Sequence, residues 1–417
     1  MDVLIPVCAG LDVHKTFVIA CRRRQLSATR TEQESRRFGT MTRDLEALAA
    51  WLAEWGCTDV AIESTGVYWQ PVYNILAPHM TVWLVNARHV KQVPGRKTDQ
   101  NDAMWLAQLL QHGLLKPSYI PPEEQRELRD LTRYRESVLD DRARVLNRMQ
   151  KLLEGANIKL AAVVTDVKGL TAQQILRALV GGETDPALLA QLACGKLQKK
   201  QAELERALEG QFDDHHRFML ARLLSHLDFL DAELATLATR IDAVLEHLPA
   251  FAAVVERLDT IPGINRTAAL VIVAEIGVEM QRFPSDRHLA AWAGLAPGNT
   301  ETGGKQRAAA SRKGNRHLRR ALVQAAWAAA RKKDSYLRAL YYRLAGRRGA
   351  HRAAVAVGRT ILQIAYHLIS KETTYQDLGH DYFDRVDRER TRARLVGRLQ
   401  ALGFAVSVTD GAQPAAV

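Results

Sequence analysis

Residues 7–21 read VCAGLDVHKTFVIAC, two apolar runs of strand length split by the polar step His14-Lys15-Thr16. The pattern predicts one strand over Val3–Ile5 and Val7–Val13 and, after a tight connection, a second over Phe17–Cys21. Working outward, Arg36–Gly39 reads as a third strand. Leu45, Leu48, Leu52 and Trp55 have helical spacing behind Thr42, a candidate N-cap. Val60–Ile62, ending at Glu63, and Val82–Val85 are short buried strands, and Gln100–Leu115 is again helical. Strands alternating with helices in this way describe an α/β layer fold.

The 417 residues exceed one compact domain and predict two or three modules. Hydrophobic residues make up 47% and charged residues 25%, which excludes wholesale disorder. Lys and Arg total 58 against 46 Asp and Glu, a net +12, so a polyanionic partner is expected, either nucleic acid or an acidic membrane surface. Cys8, Cys21, Cys57 and Cys194 show no CxxC spacing and make no disulfide framework, which points to a reducing compartment. The start MDVLIPVCAG lacks a basic-then-apolar signal design. The longest apolar run, Ala268–Ile276, is too short to span a membrane and contains Glu275.

Pro117, Pro121 and Pro122 punctuate the chain before a helix expected near Glu123. Leu131, Val138, Val145 and Leu152 recur at sevens. Leu220, Leu223, Leu227, Leu230, Leu234, Leu237, Ile241, Val244 and Leu248 alternate steps of three and four, the pattern of a coiled-coil seam. The two helices would form an antiparallel hairpin or a dimer arm, with a plain helical bundle as the alternative. A third, basic and helical module begins near Asp259. It opens on Thr260-Ile-Pro-Gly-Ile264, a turn between helices that resembles a helix-hairpin-helix, in which Asn265 replaces the usual second glycine and would take left-handed geometry. A long amphipathic helix is expected over Arg352–Ile369, and disorder in the tail beyond Asp410.

Four carboxylates are the candidate chemistry of the first module. Asp12 ends the first strand, Glu63 ends a later one, and Asp99 and Asp102 open a helix at i, i+3 spacing. Strand ends are where an open α/β sheet places its ligands. Four acids in one cleft need cations, and hard oxygen donors suit Mg²⁺ or Mn²⁺. Two such ions about 3.5–4 Å apart activate the attacking oxygen and stabilise the leaving oxygen of a phosphodiester. Three of the acids also have a plainer role: Asp12 as a turn or cap residue, Glu63 as a cap or an arginine partner, Asp99 as the N-cap of the helix that carries Asp102. His14 and Lys15 either contact phosphate or form a solvated turn. In the third module Gly303 and Gly304 precede Lys305, Arg307, Arg312, Lys313, Arg316, Arg319 and Arg320, a concentrated phosphate-binding surface or, alternatively, a solvated basic helix face.

The motifs GLDVHK, AIESTGVYW and PGRKTDQNDAMWLAQLL resemble those of the DEDD-type insertion-sequence transposases, relatives of the Piv DNA invertase. The resemblance implies a RuvC-like (RNase H-like) α/β domain over 1–118. Behind it would follow an α-helical coiled-coil, dimerising region over 119–255, a mostly helical C-terminal transposase domain over 256–384, and a tail, partly disordered, over 385–417. It places the family's four metal-binding acids on Asp12, Glu63, Asp99 and Asp102. The C-terminal loop of that family carries a nucleophilic serine before its glycine, and here Thr302 holds that position. A threonine hydroxyl does the same displacement with more crowding at Cβ; Ser311, otherwise a helix N-cap, is the alternative. DNA, a structured guide RNA and a homo-oligomeric partner, in a prokaryotic cytoplasm, are the further implications. A junction resolvase or metal nuclease using the same acids, or an inactive nucleic-acid-binding remnant, would share these motifs.

Overall fold

The computed structural model describes residues 3–27, 30–63, 66–86, 102–296, 298–302, 305–309 and 314–408. The chain divides into two compact units, Met1–Pro121 and Pro122–Val417.

The first unit is built on a five-stranded mixed sheet. Its strands are β1 (Val7–Val13), β2 (Phe17–Gln25), β3 (Thr31–Gly39), β4 (Asp59–Glu63) and β5 (Thr81–Val85), in the order β3-β2-β1-β4-β5. β1 to β3 form an antiparallel meander, and β1, β4 and β5 run parallel. Central β1 is apolar from Val7 to Leu11 because both its faces are covered there. Ala9, Leu11 and Val13 pack with Val60 and Ile62 beneath α1 (Thr42–Ala53) and α2 (Trp69–Leu76). Cys8, Ala61 and Val85 pack on the opposite face with Leu106, Leu109 and Leu110 of α3 (Asp102–Gln111). Three expectations need correction. Val3–Ile5, read as part of the first strand, lies outside the sheet, and β1 begins at Val7. β3 runs back to Thr31; its solvent-facing Glu32–Arg37 stretch is polar and gave no apolar signal. Thr42 is the first helical residue, while Met41 holds the cap position without a side-chain bond.

Two 33-residue helices, α4 (Glu123–Gly155) and a second at Asp214–Glu246, organise the other unit. Between them lie α5 (Leu160–Val163), α6 (Leu170–Val180), α7 (Pro186–Gln191) and α8 (Gln201–Leu208), which makes Asp214–Glu246 α9. α4 and α9 run antiparallel: Glu127 pairs with Arg240, and Asp231 receives Arg142. The expected seam is buried at Leu220, Leu227, Leu230, Leu237, Ile241 and Val244, with Leu223 and Leu234 only partly covered. Leu224 and Leu245 are also buried, so the apolar face is wider than a two-helix seam. Leu160, Ile175, Leu176, Leu189 and Leu204 cover the extra width. Of the arrangements open to the sequence, the two long helices therefore form a hairpin within one chain.

α10 (Pro249–Asp259) and α11 (Arg266–Ile276) are joined by the turn at 260–265. Gly263 takes φ +89°, and a Cβ there would lie 2.3 Å from the Ala325 carbonyl oxygen, so the turn presses onto a neighbouring helix. Asn265 is not left-handed. Its backbone is extended (φ −115°) and its side chain caps α11 by accepting from the Ala268 N–H at 2.9 Å. α12 (Asp286–Trp292) leads into the hairpin β6 (Gly298–Thr302) and β7 (Lys305–Ala309), followed by α13 (Arg316–Ala329), α14 (Tyr336–Arg348) and α15 (Ala350–Lys371). α15 is long and apolar enough in composition to cross a membrane. Its apolar stripe, Ala354, Val357, Ile361, Leu362, Ala365 and Leu368, is buried against α13 and α14, as in a soluble core. In the tail, α16 (Tyr382–Val386) and α17 (Arg388–Ala401) are ordered helices, whereas residues 409–417, where disorder is expected, lie outside the described residues.

Candidate active site

The sheet register places two of the four candidate acids side by side. Leu11 of β1 pairs with Ile62 of β4, so Asp12 and Glu63, the next residue on each parallel strand, stand level at neighbouring strand ends. Leu11 and Ile62 face α1 and α2; alternation turns Asp12 and Glu63 to the α3 face. α3 crosses that face antiparallel to β1. Its end meets the strand's start, with the Leu4 and Ile5 N–H groups donating to the Gln111 carbonyl, and Cys8 Sγ lies 3.4 Å from the Ala107 oxygen. Its beginning lies over Gly10, where a Cβ would stand 2.2 Å from the Ala103 oxygen. Only glycine admits a helix this close. Asp102, the first described residue of α3, directly precedes Ala103 at the end of the helix that lies over Gly10. Asp99 lies outside the described residues.

Asp12 Oδ2 is 3.0 Å from His14 Nε2, and the His14 ring stacks on Phe17 at 4.4 Å between centroids. The tight β1–β2 turn closes with His14 N–H donating to the Phe17 carbonyl. His14 thus belongs to the hairpin that orients Asp12, and Lys15 is exposed beside it. Among the described residues, no three His, Cys, Asp or Glu side chains stand close enough to hold a metal ion. In chemical kind the donors at this edge, all carboxylate oxygens, fit a hard divalent cation.

The second candidate region is the β6–β7 hairpin, in which Thr302 pairs with Lys305 at the tip and Thr300 with Arg307. Gly303, Gly304, Ser311, Arg312 and Lys313 lie outside the described residues. On α13 the expected basic surface is divided. Arg316 is exposed. Arg319 is turned inward and donates to the Gly294 carbonyl at 2.9 Å. Arg320 donates to Asp140 at 2.5 Å and pairs with Glu136 at 3.1 Å. The bond from Arg320 holds the Asp140 carboxyl below the usual carboxylate range. Arg319 and Arg320 thus hold the hairpin's surroundings together. Sequence reading could not separate them from Arg316, because their partners lie 25 to 184 residues away.

Sequence reading also passed over Glu275. Its side chain has no exposure and accepts from Arg133 Nε at 2.7 Å, from Arg133 Nη2 at 2.9 Å and from Asn315 Nδ2 at 2.5 Å. Its signal was a lone charge inside the apolar run Ala268–Ile276. A carboxylate so placed requires partners.

Residues 9–158 match a DEDD-type IS110 family model described as "Transposase", and residues 255–342 match the "Transposase IS116/IS110/IS902 family". The chain is 27% identical over 305 residues to a transposase for insertion sequence element IS1111A of Coxiella burnetii, covering 70% of this chain and 72% of that one. It is 27% identical over 325 residues to a probable family 20 transposase of Pseudomonas aeruginosa, covering 76% and 85%. A putative transposase y4qE of Sinorhizobium fredii is 26% identical over 235 residues, 55% of this chain and 47% of that one. With one match spanning the carboxylate edge and the whole of α4, and the other the helices that carry the β6–β7 hairpin, the chain belongs to the IS110-type family of insertion-sequence transposases.

Proposed function

We propose that the protein cuts and rejoins DNA strands of a mobile insertion sequence by metal-dependent phosphoryl transfer. The observation that supports this reading is the level placement of Asp12 and Glu63 at neighbouring strand ends, set by the β1–β4 register, on the sheet face that α3 crosses at Gly10. Asp12, Glu63, Asp99 and Asp102 would hold Mg²⁺, with Mn²⁺ as a chemical equivalent. Bound there, the cation supplies charge neutralisation and a polarised oxygen for phosphodiester chemistry. His14 keeps Asp12 oriented, and α3 covers the acids from one side.

In the second unit, Thr302 at the tip of the β6–β7 hairpin is the proposed nucleophile, with Ser311 as the nearby alternative. Gly303, Gly304, Lys305, Arg307, Arg312, Lys313 and Arg316 would approach the DNA backbone. A structured guide RNA and a second copy of the chain are the further proposed partners; the basic surplus suits the first.

A recombination assay tests the reading. Purified protein, Mg²⁺, the ends of its element and the associated RNA are combined with wild type, Asp102→Ala, Thr302→Ala and Thr302→Ser. Strand exchange is expected for wild type and Thr302→Ser and is expected to vanish in the other two. Full activity of Asp102→Ala would overturn the metal-site reading; activity of Thr302→Ala would overturn the nucleophile alone.

A further inference from the structure

The hairpin that carries Thr302 leaves the helical core beyond one foot, Ala293–Leu295, and the other foot is Gly314–Asn315 at the start of α13. Four contacts fix these feet. A Cβ on Gly314 would lie 2.4 Å from the carbonyl carbon and oxygen of Ala293, so the feet touch through main chain. Arg319 holds the first foot through the Gly294 carbonyl. Asn315 caps α13, its Oδ1 accepting from the N–H groups of His317 and Leu318, both at 3.1 Å. Its Nδ2 donates to Glu275 Oε2 at 2.5 Å. Glu275 is in turn fixed by Arg133, and by Arg129, whose Nη2 donates to the Glu275 carbonyl at 3.0 Å.

A wholly buried carboxylate is costly to keep in an apolar helix, and hydrophobic residues of similar size often serve stability as well. Glu275 spends its hydrogen bonds on arginines of α4 and on the residue where the hairpin re-enters the core. We infer that Glu275 is a positioning residue: through Asn315 it fixes the foot on which the β6–β7 hairpin, with Thr302 in β6, is mounted. The inference rests on the proposed role of that hairpin in strand exchange. Asn315 is suited to the link because one amide supplies both the acceptor that caps α13 and the donor that reaches Glu275. An aspartate there keeps the cap and sets two carboxylates against each other.

The test uses the full chain carrying Asn315→Asp, Glu275→Gln, or both, the last exchanging amide and carboxylate so that a donor faces an acceptor again. Hydrogen exchange is followed at the backbone amides of 298–302 and 305–309, beside thermal midpoint and strand exchange. Asn315→Asp is expected to speed hairpin amide exchange and to lower strand exchange, each on the order of tenfold, with the cap keeping the thermal midpoint close to wild type. The double variant is expected to restore both. Hairpin exchange that is unchanged in Asn315→Asp, or a double variant no better than the singles, would overturn the inference. Should wild type itself show no strand exchange, the functional reading fails, while the amide readout still decides whether Glu275 positions the hairpin.

Discussion

Gly10 and Ala103 lie in main-chain contact: a Cβ on Gly10 would stand 2.2 Å from the Ala103 carbonyl oxygen and 2.4 Å from the Ala107 nitrogen. The contact sets the height of α3 above β1 and with it, in the proposed site, the distance between Asp102 and Asp12. Gly10→Ala is expected to lift the start of α3 and to destabilise the first unit by about 1–3 kcal/mol, as overpacking of a closed core does. Chemical denaturation checks the stability. Strand exchange should fall further than the lost folded fraction explains, because the acids are spread apart.

Neutral substitutions at the edge should separate chemistry from folding. Asp12→Asn keeps size and the bond to His14, so its melting should stay near wild type. Strand exchange is expected to drop by roughly 10²-fold or more, the order seen when one group stabilising transition-state charge is removed. A variant that melts normally and exchanges strands at the wild-type rate would exclude Asp12 from the reaction.

Arg320 and Arg316 should respond differently to salt. Each phosphate contact contributes a slope of about −0.9 in the logarithm of DNA affinity against the logarithm of salt. Arg316→Gln is expected to reduce the slope by nearly that amount. Arg320→Gln, which removes the partner of Asp140 and Glu136, should leave the slope almost unchanged and cost instead up to about 1 kcal/mol of stability, since the pair is partly exposed.

The cysteines give a pH signature. Burial pushes the Cys8 thiol up to about 12 and the Cys57 thiol up to about 11, from an ordinary value of 9.0. The folded protein keeps these protons where the unfolded chain has lost them. Their contribution is therefore complete below about pH 9 and is lost as pH climbs through 11 and 12. Stability should fall over that interval more steeply in wild type than in Cys8→Ala/Cys57→Ala. At pH 8, a thiol reagent should modify half-buried Cys194 in the native protein and spare Cys8, Cys21 and Cys57, all buried.

Much of the sheet was legible because its apolar strands announce themselves: the first strand emerged over Val7–Val13, without the Val3–Ile5 stretch read with it, and Asp12 and Glu63 lie at the expected strand ends. The polar edge strand Thr31–Gly39 was half hidden, since one exposed face removes the apolar alternation. The leucine repeat of 220–248 showed where α9 buries its surface without saying against what. Choosing between a partner chain and the helices at 160–208 depends on contacts far along the sequence. For the same reason Arg316 and Arg320 look alike as residues in a basic stretch, whereas Arg320 has acids of α4 beside it.

The α4–α9 hairpin also orders events during synthesis. Residues 3–121 include every strand and helix of the first unit, so that unit can fold once they have left the ribosome. α4 emerges next with Val138, Val145, Met149 and Leu153 uncovered, and its partner face on α9 is complete only at Glu246. For the time needed to translate about ninety more residues, a nascent chain displays the apolar stripe of α4 uncovered. That interval is when a chaperone has most to protect, and shortening residues 160–208 would close it sooner.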